Sequence, residues 1–148
     1  MSKLSAALGN VDQLRVKTFE LGGHKFKVRI PLSKQMDEIN ERTNNVDPVK
    51  FQERFDRTVK GLEGDHVQRA DDDVIVDGRS TKDLVQSAMR FENRMVEFVR
   101  LLVPEQGTLD DITYEDIEAE WPLTVQLELI SAISDAIQPS FGEGRKNS

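Results

Sequence analysis

Residues 82–103 read KDLVQSAMRFENRMVEFVRLLV. Leu84, Ala88, Phe91, Met95, Phe98 and Leu102 step by four and three, the spacing that lines one face of an α-helix. A second stripe runs beside it through Val85, Met89, Val96, Val99 and Val103. Toward the C-terminal end apolar side chains therefore cover well over half the circumference. A helix that is apolar on two sides must lie at the centre of a fold or share a face with a partner. Asp77-Gly78 supplies a turn in front of it, and Ser80 or Thr81 is placed to cap its first N–H groups.

On the C-terminal side, Pro104 and Gly107 break the chain. A short acidic helix is expected from Thr113 to about Trp121-Pro122, and a last helix over 123–138, closed by Pro139. This last helix carries Leu123, Leu127, Ile130 and Ile137 on one line and Val125, Leu129, Ile133 and Ala136 on another. Together the two long helices offer more apolar surface than a hairpin and two short helices readily cover. The surplus marks Val96, Val99, Val103, Trp121, Leu123, Leu127, Ile130 and Ile137 as a candidate partner or oligomer surface. A compact core with both helices at its centre is the competing reading.

On the N-terminal side, Phe26, Val28 and Ile30 alternate with Lys25, Lys27 and Arg29, the period of a half-buried strand. Gly22-Gly23 can take the positive φ angles of a two-residue hairpin turn, which sets Phe19 opposite Phe26 and Glu20 opposite Lys25. A β-hairpin over 16–32 follows. Ser33 opens a helix to about Thr43, and Asp47 with Pro48 opens another that ends at Gly61. The charged stretch Glu63–Asp73 reads as an exposed loop, and Val74–Val76 as a short strand. The expected fold is mainly α (α+β): an N-terminal β-hairpin followed by a helical bundle of about five helices. Residues 1–14 form a flexible N-terminus, 15–139 a single domain and 140–148 a disordered tail.

Composition narrows the function. With 37% hydrophobic and 32% charged residues the chain can bury one core, so it is not a disordered polymer. It has no cysteine, which excludes disulfides and thiolate metal sites. Its apolar runs are too short to span a bilayer, and the first residues lack a secretory pattern, so a soluble, intracellular protein is expected. Residues 1–50 hold nine Lys/Arg against six Asp/Glu, whereas residues 101–148 hold two against ten. An acidic surface repels a phosphate backbone, so nucleic acid is not an expected partner of the C-terminal half. The basic strand face of Lys25, Lys27 and Arg29 reads as solvated, with an acidic protein partner as the second reading.

Catalytic chemistry finds little footing. His24 sits beside the hairpin turn and reads as solvent-facing. His66 with Asp65 and Asp71–Asp73 has neither calcium-loop nor zinc-helix spacing and reads as a solvated acidic loop, a metal site there being the weaker alternative. No nucleophile elbow is present, and Asp77-Gly78-Arg79-Ser80-Thr81 lacks the upstream glycine and the lysine of a phosphate-binding loop. No enzyme activity and no cofactor are expected.

The order of elements has a counterpart. A hairpin reading TFELGGHKFKVRIPLS, a polar connection, an amphipathic helix ending VEFVRLLVPE and a closing EAEWPLTVQLELISAISDAIQPSF resemble the tail assembly chaperones of long-tailed bacteriophages, over about residues 16–141. The resemblance implies a mainly helical, non-enzymatic protein that binds and solubilises the tape measure protein before the tail tube forms. It also implies self-association, contact with the tail tube protein, residence in the host cytoplasm and absence from the mature virion. Many such proteins are extended by a −1 ribosomal frameshift. Arg145-Lys146-Asn147 can be encoded with a slippery heptamer, which places the candidate frameshift at Lys146 and Asn147. The alternative is a structural head–tail connector or tail-tube component of the virion. Neither membrane nor nucleic-acid partners are implied.

Overall fold

A computed structural model describes residues 3–9 and 11–139. The candidate frameshift residues Lys146 and Asn147, and the tail over 140–148, lie outside the described residues. The described chain is mostly helical with a small β component, an α+β fold whose N-terminal hairpin precedes most of the helices. Its described residues fall into two compact units, one made of those up to 37 together with 95–139 and the other of 38–94.

The first unit is built on the hairpin of β1 (Val16–Leu21) and β2 (His24–Arg29). Gly22 and Gly23 both take positive φ, 60° and 81°, so the turn has the twist that two antiparallel strands require. The pairing is the one the turn dictates, with Phe19 opposite Phe26 and Glu20 opposite Lys25. The Phe19 and Phe26 rings stack with centroids 5.2 Å apart. Val28, on the same face, is completely buried, while Lys25, Lys27 and Arg29 face solvent.

Ahead of the hairpin, residues expected to be loosely ordered form a helix, α1 (Lys3–Leu8), with no buried residue, and a 3-10 turn over Asp12–Arg15. After it, α2 (Ser33–Asn44) leads into the second unit. The long helix α4 (Thr81–Val99) begins in the second unit, and the unit boundary falls within it. It ends four residues before the expected Val103. Val103 precedes a proline, which disfavours helical backbone. Leu101–Val103 instead run antiparallel along the outer edge of β2. Arg29 N–H donates to Leu101 C=O and Val103 N–H to Lys27 C=O, both at 2.8 Å.

Two helices complete this unit. Thr113 caps α5 (Tyr114–Glu120) through a reciprocal capping box, in which Asp116 N–H donates to the Thr113 hydroxyl at 3.3 Å and Thr113 N–H donates to the Asp116 carboxylate at 3.0 Å. The last helix, α6 (Leu123–Ile137), packs across β1 and β2.

The second unit holds the end of α2, α3 (Pro48–Val59), a small sheet and the start of α4. Asp47 caps α3 by accepting from Val49 N–H at 2.9 Å and Lys50 N–H at 3.3 Å, with Pro48 in the position that needs no N–H. The sheet is β3 (Val67–Arg69), β4 (Val74–Val76) and β5 (Arg79–Ser80), antiparallel in that order. Only β4 is visible in the sequence. The other two lie in segments read as loop and cap, because Val67–Arg69 and Arg79–Ser80 are short and mostly polar, without the apolar run that marks β4. Asp73 ties the sheet to the helix. Its carboxylate accepts from the Ser80 hydroxyl, from Val74 N–H at 2.7 Å and from Lys82 N–H at 3.1 Å. Ser80 in turn accepts from Asp83 N–H at 3.2 Å, so Ser80, not Thr81, is the capping hydroxyl. Ile39, Phe55, Val74 and Val85 form the apolar interior.

Candidate functional site

The face that α6 buries is decided by a polar residue. Leu129 and Ile133 are 1% and 0% exposed, and Gln126, at 2%, lies on the same side. Burying an amide is tolerated only when its groups are bonded. Here the Tyr114 hydroxyl donates to Gln126 Oε1 at 2.8 Å, and Gln126 Nε2 donates to Trp121 C=O at 2.9 Å. The amide thus joins the start of α5 to the corner at Trp121 and to α6. With that side inward, Leu123 and Leu127 are 57% and 49% exposed. Ile130 and Ile137, farther along the same line, are half-buried. Residues 123, 127, 130, 134 and 137 step four and three along α6, and only Ser134 interrupts their apolar run.

A groove opens in the same unit, on the other side of the Trp121 corner. It has a volume of about 410 Å³ and apolar walls that include Phe26, Leu102, Leu109, Ile112 and Trp121. Lys25, Lys27, Glu105 and Glu120 add charged side chains to its lining. An adjoining depression shares Leu109, Ile112 and Glu120 and adds Asp111 and Asp116, so an acidic surface borders the groove. Neither α4 nor the hairpin nor the α5 corner makes this groove alone. The departure of Leu101–Val103 from the helix brings the three together.

The residues singled out from the sequence fall into three groups. Leu123, Leu127, Ile130 and Ile137 form the outer line of α6. Trp121, Val103 and Val99 line the groove. Val99 is nevertheless 1% exposed, because its stripe turns inward at the end of α4, so it stiffens the groove wall and has no surface to offer a partner. Val96 is half-buried on α4. Along α4 the two stripes exchange roles. Val85 is buried where Leu84 is half-exposed, whereas Met95, Phe98 and Leu102 of Leu84's stripe are buried with Val99. Sequence reasoning missed Phe26, Leu109 and Ile112 as groove residues. Phe26 was assigned to the core, and the two aliphatic residues stand alone in polar loop sequence.

His24 is exposed at the hairpin end, with its ring edge-on to Phe26 at 4.6 Å between centroids. Among the described residues no group of three His, Asp or Glu side chains is placed to hold a metal ion, and the Asp65–Asp73 stretch is no exception. Asp73 is committed to its structural bonds. The Ser80 hydroxyl, the Lys82 and Val74 amides and the Lys82 ammonium hold its carboxyl below the ordinary value, outweighing the opposing effect of partial burial. No helix among the described residues is long and apolar enough to cross a membrane. No family model matches the chain, and neither curated proteins nor solved structures give a match.

Proposed function

We propose that this protein is a tail assembly chaperone of a long-tailed bacteriophage, which keeps the tape measure protein soluble until the tail tube polymerises around it. The observation that carries the reading is the double use of α6. One side is locked into the core by Leu129, Ile133 and Gln126, while Leu123 and Leu127 stay half-exposed on the other. A subunit that leaves large apolar side chains in line on a helix has surface for another polypeptide. The apolar groove beside Trp121 adds a second patch. The segment from Glu105 to Glu128 carries eight acidic residues and no basic one, charge that keeps the assembly in solution. The layout of hairpin, long helix and Trp-Pro-Leu helix, similar to that of the chaperones, supplies the particular client.

In this reading the protein works by binding alone and without a cofactor. It self-associates through the outer line of α6, meets the tail tube protein at hand-over, and acts in the host cytoplasm without entering the virion. Co-expression with the tape measure protein from the same phage tests it. The tape measure protein should be soluble and co-purify with the chain, and should aggregate without it. A tape measure protein equally soluble in both cases, or abundant peptides of the chain in purified virions, would overturn the reading.

A further inference from the structure

The groove beside Trp121 has one wall that is main chain. In β2 the even-numbered residues bond to β1, because a two-residue turn makes Leu21 and His24 the first hydrogen-bonded pair. The odd-numbered residues therefore turn their N–H and C=O groups to the opposite edge. Arg29 N–H and Lys27 C=O are used there by Leu101 and Val103. Pro104, with no N–H to give, ends this pairing. Lys25, next in the alternation, has its N–H and C=O on that edge with no main-chain partner among the described residues. His24, Lys25, Phe26 and Lys27 all line the groove. An open strand edge along an apolar groove takes extended polypeptide.

Side-chain chemistry specifies what kind. A strand laid against Lys25 places one residue directly opposite it, on the solvent face, and that residue's two neighbours on the face of Phe26. The lysine favours a carboxylate, while Phe26, Leu102 and Trp121 favour apolar neighbours. Glu105 and Glu120 in the lining, with Asp111 and Asp116 in the adjoining depression, favour a basic residue at the segment's flank. The geometry points to strand addition at Lys25. The groove binds an extended segment of the client polypeptide with an apolar–acidic–apolar core and a basic flank. This deepens the chaperone reading and rests on it for the identity of the client. A helical client segment could not use the Lys25 edge.

Trp121 is the sole tryptophan, so its fluorescence reports on the groove directly. The full chain is titrated with the capped peptide Thr-Val-Glu-Val-Thr-Lys, with the same peptide N-methylated at the glutamate, and with a version carrying lysine in place of that glutamate. The first should shift Trp121 emission and slow hydrogen exchange at the Lys25 amide. N-methylation removes the donor to Lys25 C=O and should weaken binding about tenfold. Lys25→Glu should reverse the preference between the glutamate and lysine peptides, by about fivefold in each direction.

A Trp121 response indifferent to N-methylation would overturn strand addition while leaving client capture at the groove intact. Protection of the Lys25 amide that grows with protein concentration when no peptide is present would put a second copy on the strand edge and overturn the proposal. Failure of every peptide to move Trp121, with the tape measure protein still co-purifying, would assign the client to α6 instead and overturn it as well. Loss of co-purification itself would sink the chaperone reading, a result separable from all three.

Discussion

Replacing Leu123 and Leu127 together by glutamine separates association from folding. Full burial of a leucine side chain is worth about 2 kcal/mol, within a range of 1.5–3. With 57% and 49% of these residues exposed, about half of that value is already realised inside the subunit and about half remains for a partner. The pair should therefore contribute about 2 kcal/mol to association, a loss of about 30-fold in affinity when both are replaced. The cost to the fold is similar, about 2 kcal/mol at most. Glutamine retains helix propensity and keeps an aliphatic stem, so the melting temperature should fall by less than about 8 °C. Analytical ultracentrifugation measures self-association, and co-purification with the tape measure protein measures client binding. Circular dichroism confirms that the helices remain. A double variant that is folded, yet associates within threefold of the unmodified chain, would refute the assignment of the outer α6 line to a partner.

Ile133→Ala and Leu129→Ala remove side chains from the closed side of the same helix and should each cost about 3 kcal/mol in urea denaturation, several times the effect of Leu123→Ala. Equal costs for Leu129 and Leu123 would mean that the inward side has been misassigned. Gln126→Leu keeps the volume but removes the bonds that join Gln126 to the Tyr114 hydroxyl and the Trp121 carbonyl, a loss of about 2 kcal/mol accompanied by a red shift of Trp121 emission as the corner loosens. Asp73 carries an acid-sensitive part of the stability. Its carboxyl is held below 3.8 in the folded chain, so the unfolded chain takes up the proton first as pH falls. The contribution is complete above that value and disappears as pH drops through the lower folded value. Asp73→Asn should therefore melt earlier than the parent at pH 7, and the two curves should converge in strong acid. A difference that persists unchanged at low pH would show that the charge is irrelevant.

The hairpin, α3 and α5 were legible because each is fixed by residues adjacent in sequence. Gly22-Gly23 sets the register of the strands, Asp47-Pro48 starts α3, and the Thr113–Asp116 pair starts α5. The end of α4 was not legible. Leu101, Leu102 and Val103 continue the helical period, and what removes them is Pro104 together with the edge of β2, more than 70 residues away in sequence. The orientation of α6 was hidden for a different reason. Two apolar lines run along the helix and hydrophobicity does not rank them, while the side that turns inward carries Gln126. A buried amide becomes acceptable only through Tyr114 and Trp121, and neither partner can be inferred from periodicity. The groove inherits both difficulties, since it exists only because α4 stops early and the Trp121 corner is pinned.

Ionic strength distinguishes the forces assigned to this surface. Each copy carries a net charge of −7, and residues 101–148, which include the exposed leucines, alone carry −8. Two copies brought together through α6 must therefore overcome repulsion between their own carboxylates. Salt shortens the screening distance from about 10 Å at 0.1 M to about 3 Å at 1 M. Apolar contact does not weaken with that change. Self-association measured by ultracentrifugation should thus tighten as sodium chloride is raised. Binding of the glutamate-bearing peptide should weaken over the same range, because Lys25 and the acidic residues of the lining attract it through screened charges. Opposite slopes would follow from an apolar helix face set in an acidic field. Self-association that loosens with salt would instead mean that ion pairs hold the copies together, and Leu123 and Leu127 would lose their role.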